Sequence, residues 1–162
     1  MIYLVRHPET ENNVANEFTG WEESKYTDKG RDQFDKIVEY FDGKKVDVFS
    51  SDLPRALKLG RGITLMTDGD IFVDKSLREQ NFKETRPLDS FEDKNDFRKR
   101  ISDWIDKNNE DDIVIVSHAG TVKEIVLNLL GPESLEKINA PRDVIFRIET
   151  IKNENKLSTI QV

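Results

Sequence analysis

Short apolar runs alternate along this chain with stretches in which apolar residues recur every three or four positions. The first run, Ile2-Tyr3-Leu4-Val5-Arg6, predicts a strand at the very start. Ile113-Val114-Ile115-Val116-Ser117 is almost wholly apolar, as a central strand buried on both faces should be. Positions 46–50 and Ile71–Val73 read as two further strands. Between them, Phe34, Ile37, Val38 and Phe41 form one helical stripe, with Thr27 and Asp28 as capping candidates and Gly43 as the stop. Leu53, Ala56, Leu57, Gly60 and Ile63 supply the buried side of a second helix, capped by Ser51 or Asp52, with Pro54 in its first turn. Phe97, Ile101, Trp104 and Ile105 mark a third helix that begins near Phe91. Val122, Ile125, Val126 and Leu129 mark a fourth, opening after Ala119-Gly120 and ended by Gly131-Pro132. Positions 144–148 and 157–162, around a polar Asn153-Glu154-Asn155 turn, predict a closing β-hairpin. The alternation predicts a three-layer α/β/α fold with a central, mostly parallel sheet. No linker or repeat interrupts it, so a single domain over residues 1–162 is expected.

Composition narrows the partners. The chain has 36% hydrophobic residues, enough for a core at this length, and no cysteine, which removes disulfides, thiolate zinc sites and cysteine nucleophiles. A net charge of −7 repels nucleic acid and leaves no basic stripe for it. The short run Arg98-Lys99-Arg100 reads as a solvated helix face among acidic neighbours. No charged-then-apolar leader opens the chain, and no apolar stretch approaches the ~20 residues that span a bilayer. The expectation is a cytoplasmic protein with no membrane or nucleic-acid partner.

The chemistry concentrates at the ends of predicted strands. The chain has two histidines, His7 and His118, and each directly follows a strand run. In an open α/β sheet, ligands bind in the crevice outside the carboxyl ends of the strands, so the two imidazoles are expected to meet there. Arg6 beside His7 suits a phosphoryl group: the guanidinium grips two oxygens, and a neutral imidazole nitrogen can attack phosphorus. Arg55 follows another strand end, at a helix N-terminus that itself attracts anions. Phosphoryl transfer also needs a proton donor for the leaving oxygen, and Glu79, shortly after the third strand, is the candidate carboxyl. Two histidines among many aspartates also allow a metal site, but neither belongs to a helical i, i+4 pair, and the expectation is no metal.

These residues carry a resemblance. Leu4-Val5-Arg6-His7-Pro8-Glu9-Thr10 resembles the arginine-histidine-glycine signature of the histidine phosphatase superfamily, which includes the cofactor-dependent phosphoglycerate mutases, and Asn13 stands where that family has an asparagine. In register follow Phe18-Thr19-Gly20-Trp21, Thr27-Asp28-Lys29-Gly30, the serine-aspartate-leucine-x-arginine-alanine element from Ser50 to Ala56, the acid-bearing Leu77-Arg78-Glu79, and Val116-Ser117-His118-Ala119-Gly120. The resemblance implies a phosphoglycerate mutase-like fold and a nucleophilic His7 that is transiently phosphorylated. It further implies a phosphate pocket of Arg6, Arg55 and His118, and Glu79 as proton donor and later base. Asn13, Thr10 and Gly20 would add contacts to the phosphoryl oxygens, and no cofactor is implied. Removing one such preorganised donor costs on the order of 3 kcal/mol in the transition state.

Two departures stand out. Pro8 replaces the glycine that usually follows the nucleophile, which removes a backbone N–H and fixes φ near −65°. Phe82-Lys83-Glu84-Thr85-Arg86-Pro87 departs from the family's glycine-containing acid loop, which leaves Glu84 as an alternative to Glu79. Phosphoglycerate mutases of this family carry an inserted segment and a C-terminal tail that close over the site; their absence here favours hydrolysis of phospho-His7 by water. The expected activity is that of a metal-independent phosphomonoester phosphatase on a small phosphorylated substrate or a phosphoprotein. A mutase-type phosphotransferase and a weakly active binder of phosphorylated ligands are the alternatives. Arg78, Lys83 and Arg86 suggest a substrate with further negative charge, and oligomeric state is not encoded in the pattern.

Overall fold

In the computed structural model, which describes residues 1–17, 19–81, 91–108, 111–138, 140–151 and 154–162, the apolar runs become strands of one sheet. Strands β1 (Ile2–Arg6) and β4 (Ile113–Ser117) pair in parallel, with Ile2 opposite Ile113 and Arg6 opposite Ser117. Strand β2 (Asp47–Ser50) lies on the other side of β4, and β3 (Ile71–Val73) lies outside β2, both parallel to it. The antiparallel pair β5 (Val144–Ile151) and β6 (Glu154–Gln161) extends the β1 edge and gives the order β3-β2-β4-β1-β5-β6.

Alternation along the strands sorts the core into two buried layers. Leu4, Phe49, Ile113 and Ile115 pack against Phe97, Ile101 and Trp104 of α4 (Lys94–Lys107) and Val122, Ile125 and Val126 of α5 (Ala119–Leu130). On the opposite face, Val5, Val48, Val114 and Val116 pack against Ile37 of α2 (Asp28–Tyr40) and Ala56, Leu59 and Ile63 of α3 (Pro54–Thr64). The result is the predicted α/β/α sandwich. Because β4 is covered on both faces, all five of its residues are buried. Each fully buried Ile or Leu contributes roughly 1.5–3 kcal/mol.

Several local expectations change. Thr27 caps α2 through Gly30 N as predicted, but the N-cap of α3 is Leu53, and neither Ser51 nor Asp52 closes that helix. The Ser51 hydroxyl accepts from Leu53 N at 3.3 Å, while the Asp52 carboxylate turns to Arg78. Leu59 takes the core position expected of Leu57, since positions 56, 59 and 63 share the face that meets the sheet. Helix α4 begins at Lys94, capped by Asp93, and leaves Phe91 exposed. The hairpin runs further than its apolar pattern: Ile151 pairs with Glu154, so Glu154 and Asn155 are strand rather than turn. Backbone ladder bonds continue there, and a Thr150–Asn155 side-chain hydrogen bond of 2.8 Å joins the two strands.

Glycine is required where α2 meets the segment after β1. A Cβ at Gly30 would lie 2.0 Å from the Glu9 carbonyl oxygen, a backbone atom that cannot swing away. Gly30→Ala should therefore destabilise the fold by about 2 kcal/mol or more, read as a lowered midpoint in urea unfolding with an unchanged m-value.

Candidate active site

The register of β1 against β4 brings the two histidines together. The pairing continues one residue past the strands, with His7 N donating to Ser117 O at 2.9 Å and Ser51 N donating to Val116 O at 3.0 Å. His7 and His118 are therefore next neighbours across a parallel pair, where strands lie about 4.8 Å apart. Their ring centroids are 5.2 Å apart. His118 is also the N-cap of α5, so that helix starts directly after it, earlier than the sequence pattern implied.

The protonation pattern of His7 follows from its contacts. Its Nδ1 lies 2.8 Å from the Pro8 carbonyl oxygen, which only accepts, so Nδ1 carries the hydrogen and Nε2 holds the lone pair. Pro8 thus supplies the acceptor that orients the ring. Arg55 Nε donates to His7 Nε2 at 3.3 Å. His118 Nε2 is 2.9 Å from the Ser51 hydroxyl, and its buried Nδ1 has no partner among the described residues.

Burial pushes the pKa of His7 well below 6.5, and the cations Arg55 and Arg6 push it the same way. His118 is lowered for the same reasons, burial first and then Arg55 and His7. Both imidazoles are neutral at neutral pH. Arg6 and Arg55 are lowered by burial to about 10, so both stay charged.

The two arginines are held by carbonyl groups. Arg55 donates from Nη1 to Glu22 O and from Nη2 to Gly20 O, both at 2.7 Å. Arg6 donates from Nη1 to the carbonyl of Ala140 at 2.9 Å, while its buried Nε has no partner among the described residues. Neither arginine is paired with a carboxylate among the described residues, so their charge is left for something else. Arg55 also lies in the first turn of α3, where the helix dipole disfavours a cation, and an anion between them would satisfy both.

Glu79 faces these cations. One of its carboxylate oxygens accepts from Gly120 N at 3.0 Å and the other from Gln80 N at 2.9 Å. A side chain at 120 would put a Cβ 2.3 Å from Glu79 Oε1, so only glycine lets the carboxylate seat against α5. A cavity of about 350 Å³ opens over the group, lined among others by Arg6, His7, Asn13, Gly20, Arg55 and Glu79. His118 is not among its lining residues, and its ring packs against that of His7. Thr10 does not line it either: its buried hydroxyl donates to Asn13 Oδ1 at 2.9 Å, in the cap of the short helix α1 (Glu11–Val14). Asn13 Oδ1 also accepts from Thr10 N at 3.1 Å, and Asn13 itself lines the cavity.

Other expectations resolve differently. Arg78 is clamped bidentately to Asp52, with both N···O distances 2.6 Å, and its guanidinium covers the Trp21 ring. Glu84, Lys83 and Arg86, and Phe18 of the second motif, lie outside the described residues. Lys123 and Glu17 line the cavity mouth, and neither side chain has a partner among the described residues. Lys123 lies one turn beyond the Ser117-His118-Ala119-Gly120 motif, a spacing that a helix starting at Ala119 would have flagged. Arg142, ahead of β5, adds to the positive field at Arg6 and His7. Only the long-range pairing of β5 with β1 brings it there.

Three comparisons bear on this geometry. A sequence profile described as the histidine phosphatase superfamily (branch 1) matches residues 2–106. A protein of Hydrogenobacter thermophilus named as a phosphoserine phosphatase is 30% identical over 159 residues, covering 80% of this chain and 78% of that one. A protein of Escherichia fergusonii named as a phosphoglycerate mutase is 33% identical over 104 residues; the match covers 62% of this chain and 48% of the relative, about half its length. The fold superposes on an Escherichia coli structure named as an α-ribazole-5′-phosphate phosphatase with TM-score 0.80, at 18% identity over 99% of this chain and 96% of that one. It superposes on a phosphoserine phosphatase of Entamoeba histolytica, in complex with 3-phosphoglyceric acid, with TM-score 0.78 at 21% identity over 99% and 96%.

Buried neutral histidines leave a trace in stability. Both have folded-state pKa values below the ordinary 6.5, so below that pH the unfolded chain binds more protons than the folded one. Stability should be complete above about pH 6.5 and fall as pH drops, by up to about 1.4 kcal/mol per pH unit for each histidine. Urea unfolding followed from about pH 7.5 to about pH 5 should show a slope that is shallower by that amount in His118→Asn.

Proposed function

The chain belongs to the histidine phosphatase superfamily, branch 1, and from that premise we propose that it is a metal-independent phosphomonoester phosphatase working through a phosphohistidine at His7. One observation carries the proposal. The His7 Nδ1 hydrogen is committed to the Pro8 carbonyl, which leaves a neutral Nε2 lone pair at the floor of a cavity bordered by Arg6 and Arg55.

The proposed reaction has two displacements. The dianionic phosphoryl group enters between Arg6 and Arg55, taking donors that carbonyl partners leave open, with the Asn13 amide and the backbone at Gly20 beside it. The His7 Nε2 lone pair forms a bond to phosphorus, the ester P–O bond breaks, and the departing oxygen takes a proton from Glu79. Glu79, now a carboxylate, accepts a proton from water as the water oxygen attacks phospho-His7. The P–N bond breaks, inorganic phosphate leaves, and His7 is again neutral with Glu79 protonated. Arg6 and Arg55 meet the charge that develops on the equatorial oxygens, the role a metal ion plays elsewhere, so no step calls on one. His118 braces the nucleophile from behind and keeps the floor desolvated. Thr10 acts through the cap of α1 and not as a phosphate ligand.

Cavity size and rim charge favour a small substrate. A volume of about 350 Å³ is near the lower end for ligand sites and suits a phosphoryl group on a short alcohol better than a folded phosphoprotein. Lys123 and Glu17, without partners among the described residues, suit an alcohol that carries a carboxylate and an ammonium, as a phosphorylated hydroxy amino acid does. The Hydrogenobacter relative named as a phosphoserine phosphatase fits that reading.

His7→Ala should abolish hydrolysis of p-nitrophenyl phosphate and the acid-labile phosphoenzyme together, while EDTA leaves the wild type unchanged. Activity surviving that substitution would refute the mechanism. Phosphate moving between positions of a phosphoglycerate faster than free phosphate appears would point to a mutase instead. For the rim, Lys123→Ala should raise KM roughly tenfold for O-phosphoserine, the loss of one charge-assisted hydrogen bond, with little change for p-nitrophenyl phosphate.

A further inference from the structure

Arg100 lies in α4, in the basic run that the sequence pattern assigns to a solvated face. Its guanidinium is instead turned inward over the Phe97 ring, and its side chain is only 20% exposed. The Nε and one Nη2 hydrogen meet the two oxygens of Glu92, each at 2.7 Å. The Nη1 group donates to Ser76 O at 2.7 Å and to Arg78 O at 3.1 Å. The second Nη2 hydrogen points to Glu79 O at 3.5 Å. All five donors of the fork are therefore accounted for.

The carbonyls it reaches belong to the segment that carries Glu79. Residues 76–79 are not in a strand or an α-helix at Glu79, so no regular ladder fixes that side chain. Their backbone oxygens are held one by one from outside. Ser117 Oγ takes Leu77 O at 2.7 Å, Thr121 Oγ1 takes Arg78 O at 2.9 Å and Trp21 Nε1 takes Glu79 O at 2.7 Å. Each of those groups holds one carbonyl, whereas Arg100 spans three. Glu92 neutralises the guanidinium and fixes its plane, and it also ties back to Asn81, with Glu92 N donating to Asn81 O at 3.1 Å.

We propose that Arg100, oriented by Glu92, is a positioning residue that holds Glu79 at the distance from which it protonates the leaving oxygen. The proposal rests on the reading of Glu79 as the acid. Arg100 does not touch the cavity, so its effect passes through the backbone of 76–79. A lysine there keeps the charge but lacks the planar fork, so it cannot bridge three carbonyls and a carboxylate at once.

The discriminating measurement is leaving-group dependence. A nitrophenolate leaves without much proton assistance, whereas an alkoxide needs it, so a displaced acid penalises the alkyl ester selectively. We expect kcat/KM for benzyl phosphate to fall at least about tenfold in Arg100→Ala, with that for p-nitrophenyl phosphate within about threefold of wild type. Arg100→Lys and Glu92→Gln should show the same selective loss to a smaller degree, and serve if the alanine variant does not fold. Glu79→Gln, measured alongside, should show the largest selective loss. Equal losses on both esters in the Arg100 and Glu92 variants, with the split intact in Glu79→Gln, would overturn the clamp and leave the acid assignment standing. Absence of the split in Glu79→Gln would overturn the acid assignment and the clamp with it.

Discussion

Two guanidinium groups are sunk into the carboxyl end of the sheet beside two neutral imidazoles, and the site depends on how their charge is left unspent. Burial of a cation is costly unless its donors are satisfied, and a carboxylate is the usual way to satisfy them. Arg55 and Arg6 are held in part by peptide carbonyls instead, those of Gly20, Glu22 and Ala140, with other donors left open. A carbonyl takes the hydrogen bond without cancelling the charge. The pocket is thereby a preformed positive field, and burial together with that field keeps His7 and His118 unprotonated.

Two other partly buried arginines follow the opposite rule. Arg78 is closed by Asp52 and Arg100 by Glu92, each through two short contacts. Their charge is neutralised where they stand, and what remains is geometry: they hold the segment around Glu79 in place. Function and scaffold thus use the same side chain and differ in what accepts from it. No property of an arginine in the sequence distinguishes the two uses.

Topology sets where these groups meet. The β1–β4 register puts His7 beside His118, and the β2–β4 register puts Ser51 within reach of the second imidazole. Glycine allows the closest approaches: Gly30 admits the Glu9 carbonyl, and Gly120 admits the Glu79 carboxylate. Pro8 takes part through its carbonyl, an atom that proline shares with every other residue, so the substitution leaves the orientation of His7 intact.

What the sequence determined by itself was the order of elements, the three-layer sandwich, the strand-end positions of Arg6, His7 and His118, and the placing of Arg55 and Glu79 on the segments that follow β2 and β3. Periodicity and strand-end placement are local properties, and a buried central strand such as Ile113–Ser117 declares itself by composition alone. The α3 cap, the full length of the hairpin, the inward turn of Arg100, the retreat of Thr10 into a helix cap and the arrival of Arg142 were decided only in three dimensions. Each depends on which distant carbonyl, carboxylate or strand a side chain meets. The sequence therefore names the charged groups, and the tertiary structure decides which charges are cancelled within the fold and which stay uncancelled beside His7.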